Sequence, residues 1–402
     1  MEIDNSYYKK IIYKKNAFED IKTYVKLNFC NKNILLVSSK SVPAENVTLL
    51  LNSLFCGSEN VSHFVSRQNF CCAELDMLKD RLCSSQFSLI VAFGGGKLCD
   101  VVKYFAHSLG LDYIVCPTCA TSLAYFSNYC VNPYNPSKSF YANMPNKIFI
   151  QEQIIKNSNC FLNISGLCLL HSLREVYVEG VIADNEKERY VFVGLEKVFN
   201  KLDQEQTNIL LCGEDSNLVL MDLFIDFGFY IGLLNRENYY LFNMYCIYER
   251  ICEHNINNQP CGKKMLLCAK SILAMLKKFI ELNSVKCFEK NNYLKVSKLL
   301  KKYNINYKKI KNNIYFNKFS GKLIKKREYL DNKESYYNII NNQIKKIKEF
   351  SIKVRAVYKQ GIELTEDENS IYNSLLVAPY IYDGNLLVDM VAHSGVLNAF
   401  VN

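Results

Sequence analysis

The stretch VAFGGGKLCDVVKYFAHSLG, residues 91–110, decides the fold. A short apolar run meets three glycines, and a helix-periodic segment follows, closed by Gly110. A strand that ends in glycines can bend sharply, because glycine has no Cβ to clash with the backbone. The helix starting near Lys97 then aims unpaired N–H groups and its positive dipole end at the space above the bend. A diphosphate is the natural occupant of such a space. The spacing is neither GxGxxG nor GxxxxGK[ST]. On these residues alone, a plain tight strand–helix connection stands as an equal alternative.

Working outward, strand and helix patterns alternate. NILLVSS (33–39), VSHFVS (61–66), FSLIVAF (87–93), LDYIVCPT (111–118) and KIFIQ (147–151) have the short apolar character of buried parallel strands. VPAENVTLLLNSLF (42–55) and CAELDMLKDRLCS (72–84) have helical spacing between them. This repetition predicts a Rossmann-like parallel sheet with helices on both faces. After about residue 160 the pattern changes. LCLLHSLREVYVEGVIA, NLVLMDLFIDFGFYIGLL, LFNMYCIYERICEH and GKKMLLCAKSILAMLKKFIEL are long and helix-periodic. The expectation is an α/β dinucleotide-binding domain over 1–160 and an all-α substrate and metal domain over 161–402.

Composition narrows the function classes. The 402 residues are 49% hydrophobic and 22% charged, as in globular proteins. No apolar run reaches the roughly 20 residues of a membrane span. The start MEIDNSYYKKIIYKKN has no apolar signal core, so a cytoplasmic location is expected. The 17 cysteines are scattered without the paired spacing of a structural zinc site, which suits thiols in a reducing compartment. A net charge of +10 gathers partly in residues 298–330, where lysines interleave with Tyr and Phe. The same bias recurs in KKIIYKKN and NNQIKKIKEF, so a solvated lysine-coated surface is preferred over a nucleic-acid interface. Homo-oligomerisation is left open.

The next strand end, VCPTCATSLAYFSNY (115–129), carries Thr118, Thr121, Ser122 and Ser127. In a parallel sheet its carboxyl end lies on the same edge as the glycine turn, so both would face one ligand. A hydroxyl-rich loop capping a helix is the competing reading.

GGGKLCDVVKYFA resembles the GGGxxxDxxK segment of the iron-containing alcohol dehydrogenase and dehydroquinate synthase superfamily. PTCATSLAYFS is similar to the PTxxSxDGxxS segment of its glycerol-1-phosphate dehydrogenase branch. The tail VAPYIYDGNLLVDMVAHSGVL (377–397) resembles that branch's ending. The resemblance implies a dehydroquinate synthase-like fold that holds NAD or NADP. Gly94, Gly95, Gly96, Lys97 and Leu98 would cradle the diphosphate, and Thr118, Thr121 and Ser127 would lie near the nicotinamide half. Asp100 and Lys103 match the motif as packing residues. Ser38 or Ser39 stands where an acidic residue would read the adenosine ribose, which leaves NAD against NADP open.

The resemblance also implies zinc or another divalent metal as a Lewis acid. Its ligand positions fall on Leu169, Cys246 and Cys261, and the substrate positions on Leu123 and Arg250. In the tail, Tyr382 and Gly384 replace two arginines. Cys246 and Cys261 with Cys168 or His171 would be one thiolate alternative; loss of the metal is the other. His171 is also the one candidate general acid. Three readings follow: an oxidoreductase reducing a small phosphorylated ketone such as dihydroxyacetone phosphate, a dinucleotide-binding relative acting as a binding or assembly partner, and a dehydroquinate-synthase-like lyase.

Overall fold

A computed structural model describes residues 6–134, 139–183, 188–234, 261–281, 298 and 326–357. Its front is a six-stranded sheet built from β1 (Ile11–Lys14), β2 (Asn33–Ser39), β3 (Val61–Ser66), β4 (Phe87–Gly94), β5 (Asp112–Pro117) and a last strand, Lys147–Gln151. A separate antiparallel pair, β6 (Tyr129–Val131) and β7 (Ser139–Tyr141), precedes that last strand, which is therefore β8. The order across the sheet is β1-β8-β5-β4-β2-β3, and every pairing in it is parallel. The expected Rossmann-like architecture is the one observed.

Burial on both faces explains why the inner strands read as unbroken apolar runs. Leu89, Val91 and Phe93 join Ile34, Leu36, Ile114, Cys116 and Phe149 in one core. The helices α1 (Ala17–Asn28) and α2 (Ala44–Phe55) close that face with Phe18, Ile21, Val25, Leu50 and Leu54. The alternate residues Ile90, Ala92 and Val115 are buried as well. They belong to the opposite face, because strand side chains alternate. Of the remaining front helices, α3 (Cys72–Ser84) and α4 (Gly96–Leu109), α4 packs on β4 and β5 with Val102 and Phe105 buried. Its end at Gly110 adopts φ 66°, the left-handed cap that glycine tolerates best.

One strand of the six-stranded sheet escaped the sequence reading, as did the short pair β6 and β7. β1 lies in KKIIYKKN, where lysines hide a short apolar core, and it pairs with β8 from Ile11↔Ile148 to Lys14↔Gln151. An edge strand needs only one paired side and tolerates lysines on the other, so its apolar signal is weak.

The rest of the described chain is helical: α5 (Glu152–Lys156), α6 (Phe161–Ala183), α7 (Arg189–Leu210), α8 (Ser216–Leu233), Cys261–Glu281 and Lys326–Val357. Two compact units emerge. One comprises Met1–Gly166 and Lys201–Leu233; the other comprises Leu167–Asn200 and Leu234–Asn402. Compactness thus follows chain order only in part, since the end of α7 and all of α8 join the α/β unit. α8 is long and apolar enough to cross a membrane on those two grounds alone, and 61% of its apolar window is buried inside the fold. It is a core helix of the first unit. Tyr7 Oη donates to Ile225 O at 3.0 Å, and Asn217 Nδ2 donates to Lys156 O and Ser158 O at 2.9 Å each. Lys201 pairs with Asp226 at 3.2 Å. The expected helix at 241–254 and the tail at 377–397 lie outside the described residues, as does 298–330 apart from Lys298 and the helix start from Lys326.

The β3–α3 turn is held by one carboxylate. Asn69 and Phe70 sit at φ 53° and 58°, a left-handed conformation unusual for a bulky residue. Glu74 accepts from Ser66 Oγ at 2.7 Å and from the N–H groups of Arg67, Gln68 and Phe70 at 2.6, 2.9 and 2.9 Å. Burial opposes its ionisation, but the four donors outweigh burial and hold the carboxyl below its ordinary 4.5. A depressed acid stabilises the fold fully above its unfolded value and loses that contribution as pH falls through the folded one. The stability gap between the native chain and Glu74→Gln should therefore stay constant above about pH 5 and narrow below 4.5, as read by urea unfolding across pH.

Candidate functional site

The sheet order locates a site before any side chain does. From β2 the chain moves outward to β3, then returns to the other side of β2 at β4 and continues to β5. The direction of winding reverses between β2 and β4, and ligands of open α/β sheets sit outside the carboxyl ends at such a reversal. The register pairs Ser38 with Phe93 and Phe93 with Cys116. The ends carrying Ser39, Gly94 to Gly96 and Thr118 therefore share one edge.

The three glycines have different physical reasons to be there. A Cβ on Gly94 would stand 3.0 Å from Leu98 Cδ1, tight against a side chain that is only 3% exposed. A Cβ on Gly96 would overlap Ser122 Oγ and Cβ. A Cβ on Gly95 would meet nothing within 4 Å. Gly94 and Gly96 are required by the protein's own packing, whereas Gly95 faces open space. Gly95 is also the N-cap of α4, in extended conformation and without a side-chain cap, and no acidic residue lies in the first turn. The positive end of α4 is therefore aimed across a side-chain-free position. Lys97 is exposed there, and Leu98 buries its side chain, so Leu98 can offer only its backbone N–H.

The second expected segment folds against the first. Thr118 N donates to Gly94 O at 3.3 Å, and Ser122 Oγ accepts from Ala124 N at 3.0 Å while filling the space above Gly96. Lys103 is fully buried. Its Nζ donates to Ala124 O, Ser127 O and Tyr129 O at 2.7, 2.7 and 2.9 Å. Burying an ammonium costs several kcal/mol unless its protons are all received, and here three carbonyls receive them. Two more glycines complete the seating. A Cβ on Gly166 of α6 would lie 2.5 Å from Ala120 O, and one on Gly228 of α8 would overlap Phe126 Cβ. Sequence reading missed both; their only signal was a glycine inside an otherwise apolar helical run.

The expected contact residues separate accordingly. Thr118 and Thr121 are half-buried at the edge, and Thr121 Oγ1 lies 3.2 Å from Cys119 Sγ. Ser127 is fully buried and donates to Tyr129 O at 3.3 Å, so its hydroxyl is spent on the loop. Leu123, at the family's substrate position, is 2% exposed and packs in the core. Ser38 Oγ is 2.8 Å from His63 Nε2.

The second unit carries the remaining candidates. Leu169 is buried, and an aliphatic side chain cannot ligate a metal. Burial pushes the Cys168 thiol up to about 12, with Lys263 opposing, which keeps it a protonated apolar core group. His171 is fully buried, with its ring stacked 4.1 Å from that of Phe350. Its Nδ1 accepts from Arg174 Nε at 3.2 Å. Among the described residues, no group of three His, Cys, Asp or Glu side chains could hold a metal ion. Cys246, Arg250, Tyr382 and Gly384 lie outside those residues, as does the side chain of Cys261. Of the three expected ligand positions, only Leu169 has a described side chain, and that side chain offers no donor.

A parallel α/β sheet with a glycine bend at its topological reversal, followed by long helices, defines a dinucleotide-type fold. Residues 12–158 match the family described as iron-containing alcohol dehydrogenase. Glycerol dehydrogenase 1 of Schizosaccharomyces pombe is 32% identical over 163 residues, and the match covers 39% of this chain and 36% of that relative. An iron-containing alcohol dehydrogenase from Thermotoga maritima superposes with TM-score 0.62 at 12% identity, covering 97% of both chains. A glycerol dehydrogenase structure from Schizosaccharomyces pombe gives 0.53 at 17% identity, over 97% of this chain and 88% of that one. These structural likenesses show the fold. The parallel α/β front and the helices that follow it have the architecture of these structures. Two of these relatives are glycerol dehydrogenases, and the matches do not single out the glycerol-1-phosphate branch.

Two stability predictions follow from the packing. Lys103→Met removes the ammonium donor from three buried carbonyls and should cost about 3 kcal/mol. Gly96→Ala should cost about 2 kcal/mol through its clash with Ser122, whereas Gly95→Ser, a sound helix cap, should be neutral within about 0.5 kcal/mol. Urea denaturation of the three variants measures both.

Proposed function

We propose that this chain binds a nicotinamide dinucleotide at the β2/β4/β5 edge and is an oxidoreductase of small polyols and their ketones. The observation that carries the reading is Gly95: nothing among the described residues requires a glycine there, yet a helix N-terminus points across the space it leaves. The N-terminal amides of α4 would hold the diphosphate, with Thr118 and Thr121 toward the nicotinamide half. The bound dinucleotide supplies the hydride acceptor or donor. The chain's contribution is positioning: Lys103 fixes the loop that would flank the nicotinamide, and the glycine bend keeps side chains off the diphosphate.

The glycerol dehydrogenases among the relatives support a three-carbon substrate. The glycerol-1-phosphate-like segments support its phosphorylated form, dihydroxyacetone phosphate. A second reading, binding without turnover, is favoured by the aliphatic Leu169 at the position where the resemblance implies a metal ligand. A cytoplasmic location is in keeping with the free thiols of the described cysteines.

Titration with NADH and NADPH, followed by nicotinamide fluorescence and by melting temperature, tests binding. Saturable binding with a raised Tm is expected. Gly95→Asp keeps a good N-cap and places a negative charge where the diphosphate would sit. It should leave Tm equal or higher and weaken binding by about 100-fold. Unaltered binding in Gly95→Asp refutes the site. Turnover of dihydroxyacetone and its phosphate in metal-loaded protein then separates the two readings: oxidation of reduced cofactor supports the enzyme, and binding without oxidation supports the second.

A further inference from the structure

The end of β2 bears on which dinucleotide is taken, a question that rests on the binding proposed above. The adenosine ribose of a dinucleotide at this reversal lies by the strand next to the glycine bend, which here is β2. An acidic residue at that end would accept from a free 2′-hydroxyl and repel a 2′-phosphate.

No carboxylate stands at the strand end. It reads Ser38, Ser39, Lys40, Ser41. Ser38 is buried and paired with His63. Ser39 Oγ and Ser41 Oγ lie 2.7 Å apart, two hydroxyls presented together. Lys40 and Ser41 are exposed. The neighbouring strand adds a second cation: Ser39 pairs in register with Ser66, Lys40 N donates to Ser66 O at 3.0 Å, and exposed Arg67 follows directly. Two carboxylates are near in sequence. Glu74 is saturated by its four donors, and Glu45 lies in the first turn of α2. The start of α2, at Pro43, has no side-chain cap.

We infer that this edge selects NADP(H) over NAD(H), with Ser39, Lys40 and Ser41 receiving the 2′-phosphate and Arg67 beside them. Two hydroxyls and two cations in a solvent-facing corner match a dianionic phosphate, and the strand end lacks the carboxylate that would favour a bare ribose.

The test compares NADPH with NADH, and 2′-phospho-ADP-ribose with ADP-ribose, by titration of the full chain at low and at 0.3 M salt. NADPH should bind at least about tenfold tighter, with the margin shrinking in salt. Lys40→Ala and Arg67→Ala should each weaken NADPH by about tenfold and leave NADH within about twofold. Ser39→Asp should reverse the preference, and unchanged Tm values show that the variants fold. NADH binding as tightly as NADPH overturns this inference and leaves the dinucleotide site standing. If neither nucleotide binds, the site itself is overturned and the inference with it.

Discussion

The α/β unit is organised around one buried cation. Lys103 sits on the helix that follows the glycine bend, and its three protons go to carbonyls of the next strand-end loop, at Ala124, Ser127 and Tyr129. A charge in that position cannot be left unsatisfied, so the loop has little freedom to adopt another path. The two segments that border the sheet's carboxyl edge are thereby made into one body. Close glycine contacts extend that body: Gly96 against Ser122, Gly166 against Ala120, and Gly228 against Phe126. Each holds backbone and loop at distances that a methyl group would prevent.

This seating changes what the glycine cluster means. A run of three glycines looks like one device, but the three carry different duties. Gly94 and Gly96 are required by Leu98 and Ser122, which are contacts within the protein. Of the three, only Gly95 leaves space that no described residue fills, and it does so at the positive end of α4. Ser127 shows the converse: its hydroxyl, suited by type to a ligand, is consumed by Tyr129 O inside the loop.

In the second unit, polarity serves packing among the described residues. Arg174 is 2% exposed, lies 4.7 Å over the Phe199 ring, and donates to His171 and to Gln343 at 2.8 Å. It ties α6 to α7 and to Lys326–Val357. His171 belongs to this core through that hydrogen bond and its stacking on Phe350.

Much of this was legible in residue order. Strands buried on both faces must be continuous apolar runs, so NILLV and SLIVAF declared a parallel sheet, and GGGKLCD declared the bend at its edge. Lys103 was legible as a packing residue because it repeats a family motif. β1 was not, because an edge strand among lysines carries little apolar signal. Nor were Gly166 and Gly228 as clamps, since a glycine in an apolar helix does not name its neighbour. Sequence alone determined the class of fold and the place of the bend, because periodicity and glycine's missing Cβ are local properties. Tertiary structure alone decided which glycine faces open space, which hydroxyl is spent, and where a buried lysine finds its acceptors. Those depend on contacts between residues far apart in the chain.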